Sequence, residues 1–287
     1  SNHQDSSAKS ASTEQIEQGL SHADTLSKQT EQARAQTRQA EQLIPQTPDL
    51  LHVEQLNAWY GAAHILFDVS LSVAKGEVVA LMGRNGAGKS TTLKSIMGLI
   101  ENTQGKRQFM GQEISQWPAY KIARLGLGYV PEDRRIFANL TVAENLSAGE
   151  QKPRQWPDGQ AAPHWTVEQL VSLFPNLGHM MDRPGTRMSG GEQQMLSVAR
   201  TLMGNPYLIL LDEPSEGVAP IIVEQMRDMV LSLKEKGVGV LISEQNLDFA
   251  YAVADRVYVL EKGQVKFSGT MQALRDNTQV QENYLAI

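Results

Sequence analysis

The chain has 287 residues, 41% of them hydrophobic and 20% charged, which is more than one average domain but suits a single α/β domain with an appendage. No stretch approaches the roughly 18 consecutive apolar residues that span a bilayer, and the absence of cysteine excludes disulfides and thiolate metal sites. The six histidines are scattered without the i, i+4 pairing of zinc ligands, and a net charge of −6 argues against a broad nucleic-acid-binding face.

Residues 1–50 read as a polar appendage rich in Gln, Ser, Thr and Ala, with few large side chains to bury. The start lacks the basic and apolar segments of a secretory signal, so a cytoplasmic protein is expected. Residues 14–43 contain no proline and one glycine, Gly19. The segment is either a flexible leader or a helix that ends before Pro45.

From Leu51 the texture changes, and residues 51–287 read as one folded domain. Val69, Leu71 and Val73 alternate with Ser70 and Ser72, the pattern of a half-buried strand in an antiparallel β region. Three later runs, 78–82, 208–211 and 238–242, are continuously apolar or nearly so, as strands covered on both faces of a parallel sheet must be. Each precedes a helix-like stretch, so the fold class is α/β with a mainly parallel sheet and a ligand crevice at the strands' carboxyl ends. Residues 131–203 turn helical between Pro and Gly breaks, which predicts an inserted helical lobe. Residues 256–267 predict a hairpin around Glu261, Lys262, Gly263 and Gln264.

The first apolar run leads into Gly83, Arg84, Asn85, Gly86, Ala87, Gly88, Lys89 and Ser90, the G-x-x-x-x-G-K-S pattern of a phosphate loop, followed by a helix from Thr91. A triphosphate needs backbone N–H donors aimed inward with no side chains in the way, which the three glycines permit. The helix N-terminus adds positive potential. Lys89 can reach the β and γ phosphates, and the Ser90 hydroxyl can ligate a magnesium ion between them.

The second run ends in Asp212 and Glu213, so two carboxylates arrive beside the phosphates. Asp212 would hold the magnesium, and Glu213 would orient and partly deprotonate the water that attacks the γ phosphate. Ser189, Gly190, Gly191 and Glu192 precede another helical stretch. A capping box explains Ser189 and Glu192. The two glycines would make a second anion cradle at a helix start, one that the chain's own phosphate loop does not need.

Together the phosphate loop, residues 188–195 and the acid-ended strand resemble the ATP-binding subunit of an ABC transporter, over about residues 51–287. The resemblance implies an ATP hydrolase using Mg2+, built as a head-to-tail dimer in which each ATP lies between one subunit's phosphate loop and the other's Ser189, Gly190, Gly191 and Glu192. It also implies that Tyr60 stacks on adenine, the other reading being an edge-strand or core aromatic.

Residues 130–137, 186–196, 215–221 and 243–246 are similar to the smaller ATPase of branched-chain amino acid importers. That implies as partners a second ATPase subunit, two membrane permeases and, indirectly, a periplasmic solute-binding protein, with the chain peripheral on the inner face of the membrane and residues 132–137 docking onto the permease. Related small solutes such as urea or short amides fit the same analogy.

Three positions depart from the general family pattern. Glu132 stands where a glutamine usually senses the γ phosphate and ligates the metal, Gln245 where a histidine is usual, and Ala219 where an aspartate is usual. Gln245 can donate a hydrogen bond but cannot carry a proton, and Glu132 repels phosphate unless a cation or water intervenes. A hydrolytically weak regulatory subunit is therefore one alternative. The other is an ABC ATPase uncoupled from transport, against which stand the acidic charge and the lone phosphate loop.

Overall fold

The structure, a computed structural model, describes residues 5–42, 49–133 and 136–285. The helix end expected before Pro45, together with Arg134 and Arg135, lies outside the described residues. The chain divides into two units, residues 1–46 and 47–287.

The first unit is a helix, α1 (Asp5–Gln42). Ala, Gln, Glu, Lys and Arg lose little rotamer freedom in a helix. Thr25 and Thr30 donate their hydroxyls to the carbonyls of Ser21 and Leu26, each at 2.9 Å. Its described side chains, residues 12–36, are exposed, Ile16, Leu20 and Leu26 included. Intrinsic propensity rather than burial therefore supports this helix.

The second unit opens with β1 (Asp49–Tyr60) and β2 (Ala63–Ala74), an antiparallel pair, then β3 (Val78–Met82), α2 (Lys89–Ile96), β4 (Asn102–Phe109) and β5 (Gln112–Glu113). Next come α3 (Ala119–Leu125), β6 (Leu127–Val130) and four lobe helices, α4 (Val142–Gly149), α5 (Val167–Leu173), α6 (Pro175–Gly178) and α7 (Gly190–Leu202). The remainder alternates strand and helix: β7 (Leu208–Asp212), α8 (Pro220–Glu235), β8 (Gly239–Glu244), α9 (Leu247–Val253), β9 (Arg256–Glu261), β10 (Gln264–Thr270), α10 (Met271–Arg275) and α11 (Thr278–Tyr284).

Two sheets result. One is antiparallel in the order β2-β1-β4-β5; the other runs β10-β9-β3-β8-β7-β6, parallel throughout except for the hairpin strand β10. The apolar runs show why the second sheet is a central layer. Val78, Ala80 and Met82 join one core with α7, α8 and α9, while Val79 and Leu81 join another with β1, β2 and α2. In β7, Ile209 and Leu211 face the first core, and Leu208 and Leu210 the second. A strand with both faces covered cannot alternate with polar residues, so its apolar run is continuous.

Two expectations need correcting in detail. The third parallel strand ends two residues later than residues 238–242 predict, at Glu244, because Ser243 and Glu244 are buried beside β7 and find side-chain partners there. The lobe is also not continuously helical. Residues 150–165 form a strap across the β6 and β7 edge, where the Arg154 guanidinium donates to the carbonyls of Arg124, Asn205 and Gly204 at 2.7, 3.0 and 3.2 Å. Trp156 packs on Tyr207 with ring centroids 5.1 Å apart.

The β9–β10 hairpin turns at Lys262 and Gly263, both in the left-handed region (φ 48° and 76°), the geometry that matches strand twist. The Gly263 N–H donates to Ala87 of the phosphate loop at 2.8 Å, and its carbonyl accepts from Phe67 of β2 at 2.9 Å. A Cβ there would lie 1.8 Å from the Ile65 carbonyl oxygen. Gly263→Ala should therefore lower stability by at least about 2 kcal/mol and weaken the nucleotide binding expected of the loop as the loop loses its support. A urea midpoint and a nucleotide titration on the same preparation measure both.

Candidate functional site

Three parallel strands end at the same level: β3 delivers the phosphate loop, β7 delivers Asp212 and Glu213, and β8 delivers Ser243 and Glu244. Strand register fixes the juxtaposition, with Met82 opposite Glu244 and Asp212 opposite Ser243. Side chains far apart in sequence, such as Ser90 and Asp212, 122 positions apart, thus meet at one edge of the sheet.

At that edge lies a cavity of about 350 Å³ lined by Tyr60, Ile65, Asn85, Gly86, Ala87, Gly88, Lys89, Ser90, Thr91, Glu132, Asp212 and Glu213. Gly88 caps α2 in the left-handed region (φ 106°), and a Cβ on it would sit 2.9 Å from a Leu66 methyl. Any other residue would be strained by this backbone angle and would press on the Leu66 side chain of β2. Behind the loop, Lys89 is only 4% exposed. Its ammonium donates to the Gly83 carbonyl and pairs with Glu213 Oε1 at 2.9 Å.

The Ser90 hydroxyl donates to Asp212 Oδ2 at 2.7 Å, and the other Asp212 oxygen accepts from Ser243 Oγ at 2.6 Å. Glu213 is held in the left-handed region (φ 47°), a strained conformation for a residue with a side chain. Its N–H donates to both the carbonyl and the hydroxyl of Ser243, each at 3.0 Å. The Gln245 amide donates to Glu213 at 3.1 and 3.3 Å and to Asn85 Oδ1 at 2.5 Å. Burial pushes the Glu132 carboxyl above the usual carboxylate range, and the charges of Glu213, Asp212 and Glu216 push it the same way against Lys89.

Most of the residues singled out in the sequence therefore meet. Within the loop, Gly83 and Arg84 do not line the cavity; the Arg84 side chain turns away, engaging Glu261 at 3.7 Å and the Glu282 carbonyl of α11 at 3.4 Å. Tyr60 stands at the end of β1, 48% exposed, as a cavity wall rather than a core aromatic. Ala219 serves as the N-cap of α8, with Pro220 at the first helical position.

Ser189, Gly190, Gly191 and Glu192 do not line this cavity. Ser189 and Glu192 form a reciprocal capping box, with Glu192 N–H to Ser189 Oγ at 3.2 Å and Ser189 N–H to Glu192 Oε1 at 2.9 Å. Both glycines stay half-buried at the first turn of α7, so the end of the helix remains accessible.

Sequence reasoning passed over Ser243 and Glu244 as site residues. The signal was present: an apolar run closing on two polar residues, the same arrangement that drew attention to Asp212 and Glu213.

A glycine loop between a buried parallel strand and a helix, with two carboxylates at the end of β7, the next strand but one in the sheet, defines a P-loop nucleotide-binding protein. The family model described as ABC transporter matches residues 66–216. The high-affinity branched-chain amino acid transport ATP-binding protein BraG of Pseudomonas aeruginosa is 41% identical over 236 residues, 82% of this chain and 99% of its own. The lipopolysaccharide export system ATP-binding protein LptB of Haemophilus influenzae is 37% identical over 236 residues, 82% and 97% of the two chains. A crystal structure of an ABC transporter ATP-binding cassette in its ADP conformation superposes with a TM-score of 0.68 at 30% identity, covering 82% of this chain and 98% of that one. The chain belongs to the ABC transporter family, as an ATP-binding and ATP-hydrolysing cassette.

With Glu132, Asp212 and Glu213 around one cavity, a polyanion binds against repulsion that a cation relieves. Glu132→Gln removes one of these charges. ATP should bind that variant about threefold to tenfold more tightly than the parent in the presence of a magnesium chelator, as read by competition with a fluorescent nucleotide.

Proposed function

We propose that this chain is the energy-coupling subunit of an ABC importer for branched-chain amino acids or related small polar solutes, working as a dimer of ATP-binding subunits on two membrane permeases. One observation carries the reading: the cavity that gathers Lys89, Ser90, Asp212 and Glu213 excludes the glycines of α7. Each chain thus offers half of two nucleotide sites, and a second ATPase subunit, identical or different, supplies the missing cradle.

In this reading Tyr60 stacks on adenine, the N–H groups of residues 83–91 cradle the phosphates, and Lys89 neutralises the β and γ oxygens. Ser90 and Asp212 offer the hard oxygen ligands that Mg2+ takes, with phosphate oxygens and water filling its shell; the ion would offset the charge that develops on the phosphoryl oxygens. Glu132, which lines the same cavity, would offer that ion a second carboxylate. Glu213 orients the attacking water and accepts its proton, and the Gln245 amide, bonded to Glu213, holds the acceptor in place. The partner's Ser189 hydroxyl and the first amides of its α7 would close on the γ phosphate, so ATP joins the halves and hydrolysis releases them.

Force has to leave the dimer through a surface, and a groove of about 480 Å³ fits that role. Leu99, Tyr120 and Phe137 line it with Arg200, whose guanidinium lies 4.9 Å from the Phe137 ring centroid. Phe137 is 51% exposed, and an exposed aromatic patch of this kind suits a permease loop. Among the described residues no helix is long and apolar enough to cross a membrane, so permease contact would account for a place at the inner membrane face. The likeness to LptB keeps lipopolysaccharide export as a second reading, and copurification of the permeases followed by uptake of labelled leucine separates the two.

Glu213→Gln should lower steady-state ATP hydrolysis of the assembled complex by about 100-fold or more with ATP affinity retained. It should also trap an ATP-dependent dimer on size exclusion. Unchanged turnover would sink the assignment of Glu213, and an ATP-bound form that stays monomeric would sink the shared site.

A further inference from the structure

Glu244, the residue before Gln245, has no part in the reaction described above, yet it is among the most deeply buried carboxylates of the domain. It closes β8 at 2% exposure. Its Oε2 accepts from the Ser215 hydroxyl at 2.8 Å and from the Asn246 N–H at 3.3 Å, and its Oε1 accepts from the Ser215 N–H at 3.2 Å. Ser215 lies two residues after Glu213, and the Gln245 amide returns to Glu213 at 3.1 Å. The links close a ring that runs from Glu213 along the chain to Ser215, across to Glu244, on to Gln245, and back to Glu213.

We propose that Glu244 is a positioning residue for ATP hydrolysis: by tying Ser215 to the strand that carries Gln245, it sets the Glu213 carboxylate against the Gln245 amide and keeps Glu213 in its left-handed backbone conformation. The inference rests on Glu213 being the carboxylate that faces the attacking water. Without the tie, the turn after β7 is free to relax toward ordinary backbone angles, and the acceptor would swing away from the γ phosphate.

The donors around Glu244 decide how the ring responds to protons. Two are backbone N–H groups that can only donate, so the ionised carboxylate suits all three bonds. A protonated carboxyl must give its own hydrogen to the one partner able to receive it, the Ser215 hydroxyl, and the Asn246 N–H is left facing a hydroxyl oxygen instead of a carboxylate. Burial pushes the Glu244 carboxyl up to about 7 against these hydrogen bonds, and the charge of Glu213 adds to the rise. The ring is therefore complete above about pH 7 and loosens as the pH falls through that value.

The test is the rate of ATP hydrolysis by the full chain as a function of ATP concentration, from about pH 5.5 to about pH 8.5. Glu244→Gln should lower kcat about tenfold with the KM for ATP within about twofold, and should flatten the acid limb near pH 7. Ser215→Ala, a smaller change that removes the hydroxyl bond and leaves the backbone one, should lower kcat in the same direction by about threefold, and the double variant should be no slower than Glu244→Gln alone. If Glu244→Gln does not fold, Ser215→Ala decides alone. Turnover within twofold of the parent in the folded variants, an acid limb that persists in Glu244→Gln, or losses that multiply in the double variant each overturn the proposal. Unchanged turnover in Glu213→Gln overturns the reading of Glu213 and this inference with it.

Discussion

Lys89 and Glu213 face each other at 2.9 Å in the interior of the domain, and the arrangement around them follows from the need to keep both charged there. Withdrawing an ammonium and a carboxylate from water costs several kcal/mol per ion, and their attraction offsets that only when the remaining hydrogen-bonding groups are also satisfied. The Gly83 carbonyl serves the ammonium, and the Gln245 amide serves the carboxylate. A triphosphate entering the loop competes with Glu213 for the same ammonium. Binding thus bears directly on the group proposed to activate water.

Negative charge is concentrated around this pair. Asp212 and Glu213 arrive from β7, Glu244 from β8, and Glu132 from the segment after β6. Each meets a different environment. Hydroxyls of Ser90 and Ser243 hold Asp212, an ammonium and an amide hold Glu213, and Ser215 holds Glu244. Glu132 faces the cavity, where burial first and then the neighbouring carboxylates push its proton affinity up. Four carboxyl groups of similar intrinsic chemistry thus sit in four different surroundings, as the proposed division between holding a cation and activating water requires.

The helical lobe separates two tasks. In the proposed reading α7 carries the glycine cradle at its start, while α4 and α7 help wall the groove that holds Phe137 and Arg200. A rigid helix touching both lets closure around a nucleotide at one end displace a surface at the other. Coupling of binding free energy to permease motion needs no more than such a body and two dimer states.

Much of this was legible in the sequence because it depends on local rules. Short continuous apolar runs bounded by turn residues suit strands buried on both faces, the glycine spacing before Lys89 suits a loop that exposes its amides, and a Ser three residues before a Glu suits a cap where a helical stretch follows. Composition and periodicity therefore determined the central sheet, the phosphate loop, the acid-ended strand and the start of α7. Other features depended on partners distant in the chain. That Ser243 would meet Asp212, that Arg84 would leave the cavity for α11, that Arg154 would pin a strap over the sheet edge, and that Glu244 would close a ring through Ser215 follow from strand register and long-range packing. Sequence spacing carries no information about which strands become neighbours, and the tertiary structure alone decided those contacts.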